Sequence, residues 1–470
     1  MSIDLQNITI KSAHASLKSG EFSVRDLVDA YLENINSKNK DINAYIEIYS
    51  DLDGQVEFAQ SKFADGTATE LTGIPFGMKD NILIKGKIAS SASNILKNYT
   101  AVYDSTVTKK LKESGVIFLG RTNMDDAAMG SSTETSCYGP TKNPLDTDRV
   151  PGGSSGGSAS AVAMNGALVA LGSDTGGSIR QPASYCGLVG LKPTYGSVSR
   201  YGLIAMASSL DVIGPLTKSV EDSKIVYDAI KGQDAMDSTS MPEDKISSVS
   251  GEVKKIGVPR DFVNMEGVDS EVKKNFEETL EKLKDKGYEI VDISIPDIES
   301  SLAVYYILMP AEASTNLSRL DGIRFGLSVQ GENVDDSYKK TRAQGFGKEV
   351  KKRILLGTYV LSHGYYDAYY NKAQKVRTKI TQGLKKVFEE VDVVMTPATP
   401  SPAFKFGEKS DPIQMYLSDI FTVPANIAGI PAISIPKGTH SNGLPLDVQI
   451  MATHFAEEKL FTLGKDIESL

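Results

Sequence analysis

The sequence predicts an α/β fold in which helices cover a mixed β-sheet. Three observations point there. Helical and strand periodicities alternate along the chain, its 470 residues are enough for one large or two modest domains, and one polar, turn-rich stretch interrupts it. In chain order, Ser23 and Asp26 form a capping signal, after which Leu27, Ala30, Tyr31 and Ile35 share one helical face. Ser105 is placed to cap a helix ending at Gly115, and Val116–Leu119 reads as the buried strand after it. The polar run Gly232–Lys245 is expected as a surface crossover between two parts of one sheet. Ser270 is expected to open a helix with Val272, Phe276, Leu280 and Leu283 on one side and Gly287 as its stop. Ile290–Ile293, Val393–Met395, Ala432–Ile435 and Val448–Ile450 read as strands, and a last helix carries Leu460, Leu463 and Ile467.

Composition narrows the function classes. The formal net charge of −9 gives no electrostatic footprint for nucleic acid, so any nucleic acid involved is expected to be held mainly by a partner. Cys137 and Cys186 make no disulfide framework and lack metal-ligand spacing; both are expected as small buried residues in a reducing cytosol. The N-terminus lacks the basic and apolar regions of a signal peptide, and no apolar run reaches membrane-spanning length, so a cytoplasmic protein without membrane contact is expected.

The chemistry concentrates between Pro151 and Ser178. Pro151-Gly-Gly-Ser-Ser-Gly-Gly-Ser158 and Ser173-Asp-Thr-Gly-Gly-Ser178 flank an alanine-rich run that a solvated linker would not contain. Glycines there let backbone N–H groups converge on one spot. A serine nucleophile needs a base. The four histidines, His14, His363, His440 and His454, all lie far from both clusters in sequence. Lys79, in the mostly apolar Gly73-Ile-Pro-Phe-Gly-Met-Lys79-Asp80-Asn81, is the better candidate, because burial favours its neutral, proton-accepting form. Ordinary structural roles compete: Ser178 in a tight turn, Ser154 as a helix cap, Lys79 in an ion pair with Asp80.

Lys79, Ser154 and Ser178, with Ile179-Arg-Gln-Pro-Ala-Ser-Tyr-Cys-Gly-Leu-Val-Gly-Leu-Lys-Pro-Thr-Tyr-Gly196, resemble the Ser-cisSer-Lys motif of the amidase signature family over roughly residues 20 to 455. A narrower similarity, to the branch that works within tRNA-dependent amidotransferases, rests on Arg121-Thr-Asn-Met-Asp125, Glu312–Arg319, Asp321–Arg324, Gly345–Arg353 and Gly364–Tyr370. The resemblance implies a single amidase-signature domain over 1–470, with one large mixed sheet. Within it a helical region over about 1–65, a catalytic core over about 66–220 and a substrate-binding part over about 250–455 are expected.

It further implies Ser178 as nucleophile and Ser154, on a cis peptide after Gly153, as the bridge to the base Lys79. Thr175, Gly176 and Gly177 would form the oxyanion hole through their backbones, and Ser155 would be a hydrogen-bonding support. From their own positions flanking Ser178, Asp174 and Arg180 read either as a clamp on the loop or as surface-loop charges. For a free glutamine, Arg353 and the hydroxyl of Tyr305 would take the α-carboxylate and Asp419 the α-ammonium. Tyr306 rivals Tyr305, and solvated or turn-bracing roles compete at Arg353 and Asp419. No metal and no cofactor are expected in this chain. ATP and magnesium would be used by a transamidase B subunit, which with a small C subunit would complete a heterotrimer acting on charged tRNA. The competing functions are a stand-alone amidase for hydrophobic or aryl amides and a non-catalytic anion-binding protein. Against the latter, no Gly-Lys-Ser/Thr of a phosphate loop follows the glycines.

Overall fold

Strands from both halves of the chain join one eleven-stranded mixed sheet in the computed structural model, which describes residues 3–246, 249–409 and 411–470, apart from the side chains of 412 and 413. The strands are β1 (Tyr45–Ile48), β2 (Pro75–Lys79), β3 (Ile117–Thr122), β4 (Val169–Asp174), β5 (Val189–Lys192), β6 (Val212–Thr217), β7 (Lys255–Val258), β8 (Glu289–Asp292), β9 (Val393–Pro397), β10 (Ala432–Thr439) and β11 (Pro445–Ala452). Their order across the sheet is β1-β3-β2-β4-β6-β5-β10-β11-β9-β7-β8. β3, β2 and β4 are mutually parallel neighbours, as are β9, β7 and β8, while the strands between the two groups pair antiparallel. The α/β class and the single large mixed sheet expected from the sequence are therefore the observed ones.

Alternation along the strands divides the apolar residues between two cores. Val393, Met395, Ile433, Ile435, Val448 and Ile450 point into one, and Val394, Ala432 and Met451 into the other. The first core is covered by helices Val24–Ile42, Thr106–Ser114, Val220–Ile230, Ser270–Asp285 and Glu457–Glu468. The second is covered by helices Ser301–Asn316, Lys348–Leu361, Lys372–Glu390 and Val423–Ala428. Ser301–Asn316 and Lys348–Leu361 approach so closely that a Cβ on Gly357 would lie 1.9 Å from the Pro310 carbonyl oxygen.

The expected capping box forms at Ser23 and Asp26, and Ser105 caps the helix that Gly115 ends in the left-handed region. At Ser270 the structure corrects the expectation. Asp269 is the cap, its carboxylate accepting from the N–H groups of Glu271 and Val272, and Ser270 is the first helical residue. The strand expected over Val116–Leu119 runs Ile117–Thr122, because pairing with β2 carries it through Gly120 and Arg121. Among the described residues no helix is long and apolar enough to cross a membrane.

Candidate active site

The site forms at the C-terminal ends of the parallel strands β2 and β4. Lys79 is the last residue of β2, and Ser173–Asp174 close β4 beside it. Between them lies the helix Gly156–Ala163, built from small buried residues so that its first turn can enter the sheet edge. A Cβ on Gly157 would meet the backbone of Asn123 at 2.3–2.7 Å.

Lys79 is fully enclosed. Its Nζ donates to Ser154 Oγ (2.9 Å), Ser155 Oγ (2.8 Å) and Ser173 Oγ (2.9 Å), with the Ser173 carbonyl at 3.3 Å. Burial pulls its pKa down to about 7, against the opposing charges of Asp125, Asp174 and Asp211. The ion pair with Asp80 does not form: Asp80 binds Arg121 at 2.9 Å. Ser154 follows a cis peptide from Gly153 and caps no helix; its carbonyl accepts from Asp125 N–H (3.2 Å). Ser178 lies near the Ser154–Ser155 turn, where its carbonyl accepts from Ser155 N–H (3.2 Å). Lys79 and Ser154 are 0% exposed and Ser178 is 8% exposed, so Ser178 is the member of the three nearest to solvent.

The loop before Ser178 is held from behind by a buried ion pair. Asp174 accepts from Gly177 N–H (2.9 Å) and Ile179 N–H (3.2 Å) and from the Arg180 guanidinium at 3.0 and 3.1 Å. Arg180 also donates to the Thr422 carbonyl, Gln449 and Asn426. Burial alone would raise the Asp174 pKa, but Arg180, Lys192 and Asn426 hold it down at about 2. Removing one partner of such a pair costs about 3–5 kcal/mol because the other is left buried and unpaired. Asp174 and Arg180 are thus a clamp, not surface charges.

Of the three expected oxyanion donors, the N–H of Gly177 is already engaged by Asp174, while that of Gly176 has no acceptor among the described residues. Gly177, at φ 135°, would place a Cβ 2.2 Å from Thr422 Oγ1. Thr175 is tied by its hydroxyl to Asp211 (2.6 Å).

The residues expected to read the substrate gather around this loop. Tyr305 packs its ring on Gly176, where a Cβ would lie 2.6–2.9 Å from the phenol. Tyr306 turns to the neighbouring position, stacking on Tyr416 (3.8 Å between centroids) beneath the Arg353 guanidinium, which lies 5.4 Å from its centroid. Arg353 is buried. Its Nε donates to Glu349 (2.7 Å), Nη1 faces the Met309 sulfur at 3.7 Å, and Nη2 has no acceptor among the described residues. Asp419 is buried too and accepts from the Ser131 hydroxyl (2.6 Å); its backbone carbonyl receives Thr422 Oγ1, which also binds the Gly176 carbonyl. Burial pushes the Asp419 carboxyl up to about 7, against the pull of Ser131 and Arg353.

Several supporting residues were not singled out by the sequence: Ser173, held in turn by Asn81 (3.0 Å), and Ser131, Glu349, Thr422 and Asp211. Ser173 at least lies inside the serine cluster; Ser131 and Asp419 are 288 residues apart and meet only in the fold. Cys137 and Cys186 are both free; Cys186 is buried as expected, whereas Cys137 is only partly buried. Among the described residues no group of three or more His, Cys, Asp or Glu is placed to hold a metal ion.

The family model described as Amidase matches residues 26–461. The chain is 50% identical over 472 residues to the A subunit of the glutamyl-tRNA(Gln) amidotransferase of Halothermothrix orenii, covering 99% of this chain and 98% of that one. It is 51% identical over 474 residues to the protein of the same name from Thermoanaerobacter pseudethanolicus, covering 99% and 97%. The crystal structure of the A subunit of glutamyl-tRNA(Gln) amidotransferase from Thermotoga maritima matches with a TM-score of 0.82 at 42% identity, over 100% of this chain and 96% of that one.

Proposed function

We propose that this chain, which belongs to the amidase family, hydrolyses glutamine through an ester on Ser178 and supplies the ammonia to a tRNA-dependent amidotransferase. The observation that carries the reading is a pair of opposite charges buried beside the serine loop and bonded to other residues: Arg353 to Glu349, Asp419 to Ser131. A zwitterionic α-amino acid supplies the carboxylate for one and the ammonium for the other. The tyrosine that packs on Gly176 stands against the same loop.

The hydrogen bond of Lys79 to Ser154 and the place of Ser178 beside the Ser154–Ser155 turn support one order of steps. Neutral Lys79 takes the Ser154 proton as Ser154 takes that of Ser178, and Ser178 Oγ attacks the carboxamide carbon. The negative oxygen is met by backbone N–H groups of the Thr175–Gly177 loop, of which that of Gly177 is already engaged by Asp174. As the C–N bond breaks, the proton held by Lys79 returns through Ser154 to the nitrogen, which leaves as ammonia. Water then loses a proton along the same path and attacks the ester, the Ser178–carbon bond breaks, and Ser178 recovers its proton. The products are glutamate and ammonia.

The relatives' shared name supports the wider setting: a transamidase B subunit with a small C subunit as partners, ATP and magnesium used by the transamidase, and conversion of Glu-tRNA(Gln) to Gln-tRNA(Gln) in the cytoplasm. Asp-tRNA(Asn) is the second candidate acceptor. Treating the protein with a glutamine analogue bearing an electrophile at its γ-carbon is expected to leave one adduct, located on Ser178 by peptide mass spectrometry. An adduct on Ser154, Ser155 or either cysteine instead would reject the nucleophile assignment.

A further inference from the structure

We infer that Asp126 is a positioning residue for substrate selection: it clamps the N-terminus of the helix that carries Arg353 to the loop that supports Ser154. The inference rests on the reading that Arg353 binds the substrate carboxylate. Helix Lys348–Leu361 begins at Gly347, which has no side chain to cap it. The missing cap comes from far away in sequence. Asp126, buried, accepts from Gly347 N–H at 2.8 Å through Oδ2. A carboxylate at this end of a helix both satisfies an otherwise orphaned donor and opposes the positive end of the helix dipole. The fit is close: a Cβ on Gly347 would lie 2.5 Å from Asp126 Oδ2. Arg353 follows within the second turn of that helix, so the position of Gly347 sets where the guanidinium stands.

The other side of the clamp leads to the serines. Asp126 N–H donates to Thr135 Oγ1 (3.0 Å), which donates to Asp125 (2.8 Å), and Asp125 N–H donates to the Ser154 carbonyl (3.2 Å). The same loop sends Ser131 to Asp419. One segment, residues 125–135, therefore touches the bridging serine, the carboxylate facing the substrate ammonium and the helix of the carboxylate-binding arginine. The Arg121–Asp125 and Gly345–Arg353 motifs, separate in sequence, are joined through it.

The test compares glutamine with butyramide, a primary amide lacking both α-groups, in steady-state hydrolysis. Asp126→Ala is expected to raise the KM for glutamine about tenfold with kcat little changed, and to leave butyramide hydrolysis as in wild type. Asp126→Asn, whose amide oxygen still accepts from Gly347, is expected to restore most of the loss. Gly347→Ala, which displaces the helix with the carboxylate intact, is expected to reproduce the selective rise in KM. Equal loss on both substrates, an unchanged glutamine KM, or Asp126→Asn as impaired as Asp126→Ala would overturn the clamp. Wild-type protein that shows no preference for glutamine over butyramide would instead overturn the glutamine reading, and the clamp's role in selection with it.

Discussion

Replacing Lys79 by alanine is expected to lower glutamine hydrolysis by roughly four orders of magnitude, and replacing it by arginine to do the same. Residues that act as a unit in nucleophilic catalysis show losses of about this size when one is removed. The arginine variant carries the argument. Lys79 touches three serine hydroxyls and no carboxylate, in a site where burial brings its pKa to about 7. A lysine there spends much of its time neutral at physiological pH and accepts a proton; arginine stays charged and cannot. The sign of the pH dependence follows. The acid form of Lys79 is the inactive one, so kcat/KM is expected to rise as pH climbs through about 7 and to level off above it. Steady-state rates on both sides of that value, with wild type and Lys79→Arg, check both statements. Near-wild-type activity in Lys79→Arg would remove Lys79 from the role of base.

Replacing Arg353 by alanine is expected to cost about 2–5 kcal/mol of glutamine recognition, the penalty for breaking a buried charge-assisted contact. It should appear as a rise in KM. The loss exceeds what a surface arginine would give, because this side chain is only 5% exposed and its Nη2 has no other acceptor among the described residues. Glu349 sharpens the effect: with Arg353 gone, a half-buried carboxylate keeps only the Tyr416 hydroxyl and the more distant Lys352, and repels the substrate carboxylate. Initial rates against glutamine concentration decide it, and a KM equal to wild type would make Arg353 merely structural.

Much of the site was legible because its chemistry is local. The two glycine–serine clusters and Lys79 stand out from their surroundings, and their order in the chain identifies them before any fold is known. The strands that carry them were not legible. β2 reads Pro-Phe-Gly-Met-Lys and β4 reads Val-Ala-Leu-Gly-Ser-Asp; both are buried throughout, so no alternation marks them, and Gly77 and Gly172 weaken any strand signal. The amphipathic helices were the reverse case: Leu27, Tyr31 and Ile35, or Phe276, Leu280 and Leu283, declare one buried face each. Tyr305 and Tyr306 show where a one-residue uncertainty matters. Successive helical residues point about 100° apart, so one meets Gly176 and the other lies under Arg353. Ser131 and Asp126 left no signal at all, since a lone polar residue acquires its meaning only from a partner hundreds of residues away.

The central claim is that the serine of this chain makes ammonia for a reaction completed elsewhere. The most direct measurement is amidation of charged tRNA by the assembled complex containing Ser178→Ala, with glutamine and with ammonium chloride as alternative nitrogen donors. The variant is expected to lose glutamine-dependent amidation and to keep the ammonium-dependent reaction at the wild-type rate. Glutamine-dependent amidation that survives the substitution, or loss of both reactions in a complex that still assembles, would contradict that claim.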